Sequence, residues 1–217
     1  MSQPAGASTY AIGDVHGEVT LLRRLLGDLP LRPEDTVVLL GDYLDRGEDS
    51  AATVSLLWQL ERQRHVVFLR GNHEDAWLDV WNGTTFRRVP NISGARKGWA
   101  DFDGQPPAAL GQWLETTRID YEDEHGFYVH AGVLPNIPFA STPQLQKLGG
   151  AGNFLESDFD WGKPVVFGHW PLQEPLLRPN KIGIDTSAYK SGVLTAVRLP
   201  DRTIFQARKH GGPARRD

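Results

Sequence analysis

Six short apolar runs in this chain stop at or near a glycine, and polar residues able to do chemistry follow them closely. They are Tyr10–Gly13, Thr36–Gly41, His65–Gly71, Gly126–His130 with Gly132 close behind, Pro164–Gly168 and Lys181–Asp185. Short runs rich in Val, Ile, Leu and Phe that end in glycine read as buried strands feeding loops. Amphipathic stretches separate the early ones. Glu18–Leu29 lays Leu21, Leu22, Leu25, Leu26 and Leu29 along one helical stripe. Asp49–Gln63 opens on Asp49/Ser50 as a cap and repeats Val54, Leu57 and Trp58, whereas His73–Trp81 and Pro107–Thr116 carry weaker helical patterns. Gly192–Arg198 and Arg202–Ala207 form a predicted hairpin turning at Pro200-Asp201. The order βαβαβα followed mostly by strands predicts an α/β protein whose sheets are covered by helices.

The length of 217 residues fits one domain over residues 9–209, with short tails at 1–8 and 210–217 that lack apolar periodicity. Such a chain buries roughly 70% of its unfolded surface, enough for a core without staples. With zero Cys, disulfides, a thiolate nucleophile, a Cys-ligated zinc and an iron–sulfur cluster all fall away. Lys+Arg number 23 against 27 Asp+Glu, a formal charge of −4, which argues against a general nucleic-acid binder. No apolar run approaches the ~18–20 residues of a membrane span, and Met1–Ser8 has no signal-peptide character, so a cytoplasmic protein is expected.

The acids, amides and histidines sit at strand ends. Gly13-Asp14-Val15-His16-Gly17 follows the first strand, Gly41-Asp42-Tyr43-Leu44-Asp45-Arg46-Gly47 the second and Gly71-Asn72-His73-Glu74 the third. His130 closes a later strand, and Gly168-His169-Trp170 another. Loops at the carboxyl ends of neighbouring strands share one crevice, so these distant residues can converge. Oxygen and imidazole donors without thiolate suit Mn²⁺, Fe or Zn²⁺. Taken singly, each motif has an ordinary structural explanation: Asp14-x-His16 a solvated turn, Asp45-Arg46 a surface ion pair, Asn72-His73 a helix cap, His130 and His169 hydrogen-bonded buried histidines. Five such motifs in order, each beside glycine, are hard to obtain from structural needs. His65, His125 and His210 lack that context and are left as structural.

Together, Gly-Asp-x-His-Gly, Gly-Asp-x-x-Asp-Arg-Gly and Gly-Asn-His-Glu, with the strand-end His and the Gly-His, resemble the phosphoprotein phosphatase branch of the calcineurin-like metallophosphoesterases, from about Tyr10 to about Leu199. The resemblance implies a four-layer αββα sandwich, two mixed β-sheets flanked by helices, with two divalent metal ions between the sheets, Mn²⁺ foremost. It implies that Asp14 and His16 bind the first metal, that Asp42 bridges both, and that Asn72, His130 and His169 complete the second. His73 matches the family's general acid, held by Asp45, and Arg46 a phosphate clamp. These roles are chemically coherent: a bridging carboxylate damps repulsion between two cations that activate one water. An imidazolium suits protonation of a leaving alkoxide, and a guanidinium suits bidentate contact with phosphate.

Two departures stand out. The family's second phosphate-clamp Arg aligns with Ala151, and no Arg occurs from Ala131 to Gly168. Lys147, Arg178, Lys181, Arg96 and Lys97 are the candidates to compensate. Thr84–Gly104, with Arg87, Arg88, Arg96, Lys97 and Trp99, reads as a solvated loop where relatives carry a Gly-Gly stretch. Asp45 favours a phosphomonoesterase acting on phosphoserine or phosphothreonine in proteins over a dinucleoside polyphosphate (diadenosine tetraphosphate-type) hydrolase, whose members typically lack that Asp. A pseudoenzyme that binds phosphorylated partners without turnover is the third reading.

Overall fold

The computed structural model describes residues 6–209. The first sheet runs β10-β9-β1-β2-β3, from β1 (Thr9–Ile12), β2 (Thr36–Leu39), β3 (His65–Phe68), β9 (Val193–Leu199) and β10 (Thr203–Arg208). The second runs β4-β5-β6-β8-β7, from β4 (Asp120–Glu122), β5 (Phe127–Val129), β6 (Val165–Phe167), β7 (Leu176–Leu177) and β8 (Lys181–Gly183). Both sheets are mixed. In the first, the parallel trio is in register, with Ile12 opposite Leu39 and Leu39 opposite Phe68. In the second, Val129 lies opposite Phe167 and Phe167 opposite Gly183. The polar segments after these six strands therefore leave from two aligned edges.

Side chains alternate across a strand, and here that alternation sorts the core into three layers. Tyr10, Ile12, Val37, Leu39 and Phe68 face outward and pack with Leu21, Leu22 and Leu25 of α1 (Val19–Asp28) and Val54 and Leu57 of α2 (Ser50–Glu61). Ala11, Val38, Leu40, Val67 and Leu69 face inward against Tyr128, Val166, Ile182 and Ile184 of the second sheet. The far face of that sheet, Phe127, Val129, Val165 and Phe167, packs with Val133, Ala151 and Phe154. The four-layer αββα sandwich is thus realised. Its last layer is thin, comprising α6 (Gln144–Gly149) and the aromatic segment through Trp161.

The predicted helices form with trimmed ends. Asp49 caps α2 by accepting from Ala52 N at 2.8 Å, α3 covers Asn72–Leu78, and α5 covers Ala108–Glu115. The hairpin turns where expected. The solvated-loop reading of Thr84–Gly104 is corrected: it contains α4 (Ala95–Ala100), where Trp99 stacks on buried Trp77 at 5.8 Å. The pattern also gave no warning of α6, of α7 (Ala188–Ser191), or of the short β4 and β7. Residues 1–5 and 210–217, which hold most of the expected tails and His210, lie outside the described residues. Gly6, Ala7 and Ser8 are tied down by hydrogen bonds to Arg32, His125 and Asp35.

The proposed substitutes for the missing Arg are mostly engaged elsewhere. Lys181, fully buried on the outer face of β8, donates to the carbonyls of Phe154, Leu155 and Ser157. Lys147 binds Asp120, Arg178 donates to Leu155 O, and Lys97 reaches Glu48 O and Asp101. Arg96 is exposed on α4. Ala151 itself is fully buried with Phe154, so an Arg placed there would enter the core and not the cleft. Lys181 instead acts as a peg: one ammonium satisfies three carbonyls and pins the outer segment to the sheet. Lys181→Met should therefore cost roughly 2–4 kcal/mol, because those acceptors lose a charged donor without access to water. Urea denaturation checks this, and a loss under ~1 kcal/mol would show that the segment does not need the peg.

Candidate metal centre

The loops after β1 and β2 brace each other through backbone bonds, since Val15 N and His16 N both donate to Asp42 O, at 3.1 and 2.8 Å. Turning so sharply at a strand end requires left-handed backbone. His16 (φ 45°), Asp42 (52°), Asp45 (73°), Arg46 (65°) and His169 (62°) all adopt it. Such conformations cost of order 1–3 kcal/mol each in non-glycine residues and persist only where surroundings enforce them. Gly71 answers a further need. A Cβ there would lie 2.1 Å from Asp42 Oδ1, so the third loop approaches the second only because this residue has no side chain.

Two groups of donor atoms result, and Asp42 belongs to both. Those of His16, Asp42 and His73 lie within 4.8 Å of one another, as do those of Asp42, His130 and His169. His16 Nδ1 donates to Leu44 O at 2.9 Å and His130 Nδ1 to Leu40 O at 2.8 Å. With Nδ1 carrying the proton, each Nε2 presents a lone pair. The His130 lone pair faces acceptors, 3.5 Å from Asp42 Oδ1 and 3.0 Å from Asn72 Oδ1, and His16 Nε2 lies 3.4 Å from Asp42 Oδ2 while accepting from Arg46 Nη1 at 3.1 Å. His169 Nδ1 joins the second group 2.9 Å from Asn72 Oδ1. Acceptors aimed at acceptors are the donor set of a cation, and backbone-fixed tautomers are the usual support of a metal-binding imidazole.

Electrostatics agree. Burial depresses His16 to about 3 and His169 to about 4 and lowers His130, keeping these rings neutral. Burial opposes ionisation of Asp42 too, but its pKa is lowered by His130, His73 and His16 and by the His73 backbone N–H that Oδ1 accepts at 3.0 Å. With His16 and His130 neutral, His73 and that N–H keep it an anion. Asp14, whose carboxylate accepts from His169 N at 3.1 and 3.2 Å, is pushed up by burial and then by Asp185 and Asp42. Crowded buried carboxylates of this kind are stable as anions only beside positive charge. The residues present fit a dinuclear site with Asp42 in the middle.

A family comparison accords with this geometry, for the calcineurin-like phosphoesterase profile matches residues 7–192. The chain belongs to the calcineurin-like phosphoesterase family. As a phosphoesterase it is 26% identical over 219 residues to the asymmetrical bis(5′-nucleosyl)-tetraphosphatase PrpE of Anoxybacillus flavithermus, covering 88% of this chain and 89% of that one. It is likewise 26% identical over 270 residues to the symmetrical bis(5′-nucleosyl)-tetraphosphatase of a Janthinobacterium species, covering 93% and 96%. A candidate diadenosine tetraphosphatase of known structure shares the fold at a TM-score of 0.74, with 21% identity and 97% of each chain covered.

Beside the metal centre of this phosphoesterase stands a dyad. His73 Nδ1 lies 2.6 Å from Asp45 Oδ2, and Trp77 Nε1 donates to both Asp45 oxygens at 3.2 Å. His73 Nε2 is buried, has no partner, and lies 3.9 Å from Asp42 Oδ2. Burial disfavours its charge, but Asp42 and Asp45 prevail and raise its pKa. Arg46 extends Nη1 to His16 Nε2 at 3.1 Å. All nine residues singled out in the sequence are thereby gathered around one site, whereas His65 and His125 lie away, bonded to Thr36 and Ala7 O.

Four contributors were missed. Gly98 of α4 lies against Asp45, where a Cβ would meet Oδ1 at 2.2 Å, so helix and dyad are in direct contact. Asp185, pushed up to about 6 by burial, accepts from Ser187 N. Tyr189 packs on His16 and Arg46. Glu74 is the most consequential. Fully buried, it accepts from Asp42 N at 2.7 Å, Tyr43 N at 2.9 Å and Gly71 N at 3.0 Å, tying the second and third loops together. Its place in Gly-Asn-His-Glu was the available signal, since an acid at the third helical position reaches back to the cap.

Glu74→Gln would set an amide N–H against one of those three backbone donors. The expected result is a loss of roughly 2–3 kcal/mol in thermal unfolding. Metal affinity in a calorimetric titration should weaken by about 10–100-fold. Wild-type values in both measurements would show that the Asp42 loop keeps its shape without this brace.

Proposed function

We propose that this protein is a dinuclear-metal hydrolase of small nucleotide phosphates, dinucleoside polyphosphates foremost. The observation that carries the hydrolase reading is the pair of donor groups sharing Asp42. The bis(5′-nucleosyl)-tetraphosphatase relatives, which the chain matches over about nine-tenths of its length, support the substrate class. They favour it over the protein phosphatase expected from Asp45. Asp14, His16, Asp42, Asn72, His130 and His169 would hold two divalent cations, Mn²⁺ being our choice. Bound there, these would acidify water and neutralise charge on phosphate oxygens.

The chain's own side chains do the rest. Asp42 holds the two donor groups at one fixed separation. Arg46 grips a phosphate oxygen through its planar guanidinium. Asp45 accepts from Nδ1 of His73, so the ring presents Nε2–H toward the cleft as the proton source for the leaving oxygen. Trp77 fills the other side of Asp45 and keeps it aimed. A cytoplasmic setting accords with the lack of cysteine, and no helix among the described residues is long and apolar enough to cross a membrane.

The His73–Asp45 dyad favours a second reading, a phosphomonoesterase acting on phosphoserine or phosphothreonine. An alkoxide leaving group needs a proton far more than a nucleotide does. Purified protein with Mn²⁺ assayed on diadenosine tetraphosphate, a phosphopeptide panel and p-nitrophenyl phosphate separates the two. Preference for the dinucleotide supports the proposal, preference for phosphopeptides replaces it with the second reading, and silence on all three leaves a binding protein.

Asp42→Asn should cost bound metal and at least ~10²–10³ in rate. Elemental analysis that finds two metals per chain with normal turnover would sink the bridging role. His73→Asn should keep both metals and lose ~10²-fold or more on an alkyl phosphate, but much less on diadenosine tetraphosphate, whose leaving group is a good one. Equal losses on the two substrates would place the proton source elsewhere.

A further inference from the structure

Tyr189, the second residue of α7, is 38% exposed at the rim of the metal centre, one of three large apolar or aromatic side chains so exposed among the described residues. Its ring makes two contacts. The Arg46 guanidinium carbon lies 4.9 Å from the ring centroid, and the His16 ring packs on it at 5.3 Å with an interplanar angle of 83°. Arg46 Nη1 and His16 Nε2 are themselves only 3.1 Å apart. Groups that close together cannot lie on opposite faces of a ring from which each is about 5 Å away, so both lie on the side of Tyr189 that is turned toward the metal centre. Among the described residues no other aromatic ring or cation packs on Tyr189, which leaves the face turned away from Arg46 to carry its exposure.

Trp170, on the opposite flank beside His169, is differently placed. Its Nε1 donates to Ala131 O at 2.8 Å, and its body packs on the outer core of the second sheet. It is fixed by these contacts and only half-buried, whereas Tyr189 is the more exposed ring.

We propose that the outer face of Tyr189 is a stacking platform for one base of a nucleoside polyphosphate whose phosphates lie in the metal centre. The proposal rests on the nucleotide reading given above and adds the residue that recognises the nucleoside. Every base has a π-face, and stacking on an aromatic side chain is among the strongest sequence-tolerant contacts a base makes. Arg46 beneath the ring leaves it better suited to this, because a guanidinium on one face and a base on the other form a continuous stack. Phosphates on the inner side and a base on the outer side require the chain between them to pass around the ring edge. A polyphosphate is long enough for that path; a monophosphate is much shorter.

The matched probes are diadenosine tetraphosphate and P1,P4-dimethyl tetraphosphate, which carry the same phosphates with and without nucleosides, each tested as an inhibitor of β-glycerophosphate hydrolysis. Wild type should bind the dinucleotide about tenfold or more tightly than the dimethyl compound. Tyr189→Leu should shrink that ratio to within about twofold, and Tyr189→Phe and Tyr189→Trp should preserve it. A role confined to positioning Arg46 would weaken both probes equally in Tyr189→Leu and leave the ratio intact, which would overturn the proposal. So would a wild-type ratio near one. Direct assay of dinucleotide cleavage reports separately: no cleavage with the ratio preserved rejects the substrate reading and keeps the platform, whereas cleavage with no ratio rejects the platform alone.

Discussion

Acceptors aimed at acceptors organise this molecule. Asp42 places its two oxygens opposite the Nε2 lone pairs of His16 and His130, with Asn72 Oδ1 beside the second. Such an array is relieved only in part, by Arg46 at His16 Nε2 and the His73 backbone N–H at Asp42 Oδ1, and a rigid frame keeps it assembled. The frame consists of backbone: Leu44 O and Leu40 O fix the imidazole tautomers, and the Asp42 carbonyl receives two N–H groups from the first loop. Glu74 then holds three N–H groups of the second and third loops. Of the five left-handed residues at the site, His16, Asp42, Asp45 and Arg46 lie in the loops that this frame holds.

Much of this was readable from the chain. Strands that end in glycine align their ends once β1, β2 and β3 pair in parallel, so residues 14, 42 and 72 meet without any long-range signal beyond strand order. The same logic brings His130 and His169 together from β5 and β6. Alternation of apolar residues did the remaining work. A strand of four residues such as Tyr10-Ala11-Ile12 with Thr9 encodes its two faces in side-chain size alone, large toward the helices and small toward the other sheet.

What stayed hidden depends on contacts between segments with weak periodicity of their own. Thr84–Gly104 looked solvated because its charges are conspicuous and its packing residues few; Gly94, Gly98 and Trp99 matter only in view of Arg46, Asp45 and Trp77. Lys181 looked like a spare cation beside the last motif. Strand alternation sends it to the outer face, opposite in direction to Ile182, and its ammonium finds carbonyls instead of phosphate. Ala151 failed as a clamp position for a similar reason: sequence alignment counts residues, whereas the core chooses which of them face inward.

The two donor groups differ in what they join. Asp14, His16 and Asp42, assigned to the first ion, all follow strands of the first sheet, but the second group sets Asp42 of that sheet against His130 and His169 of the other. An ion held by the first set would tighten loops. An ion held by Asp42, His130 and His169 would rivet the sandwich, adding its binding free energy to the docking of one half of the molecule on the other. Chelation would then be felt unequally, with opening between the sheets preceding any fraying within them. Metal supply would set how readily the sandwich breathes.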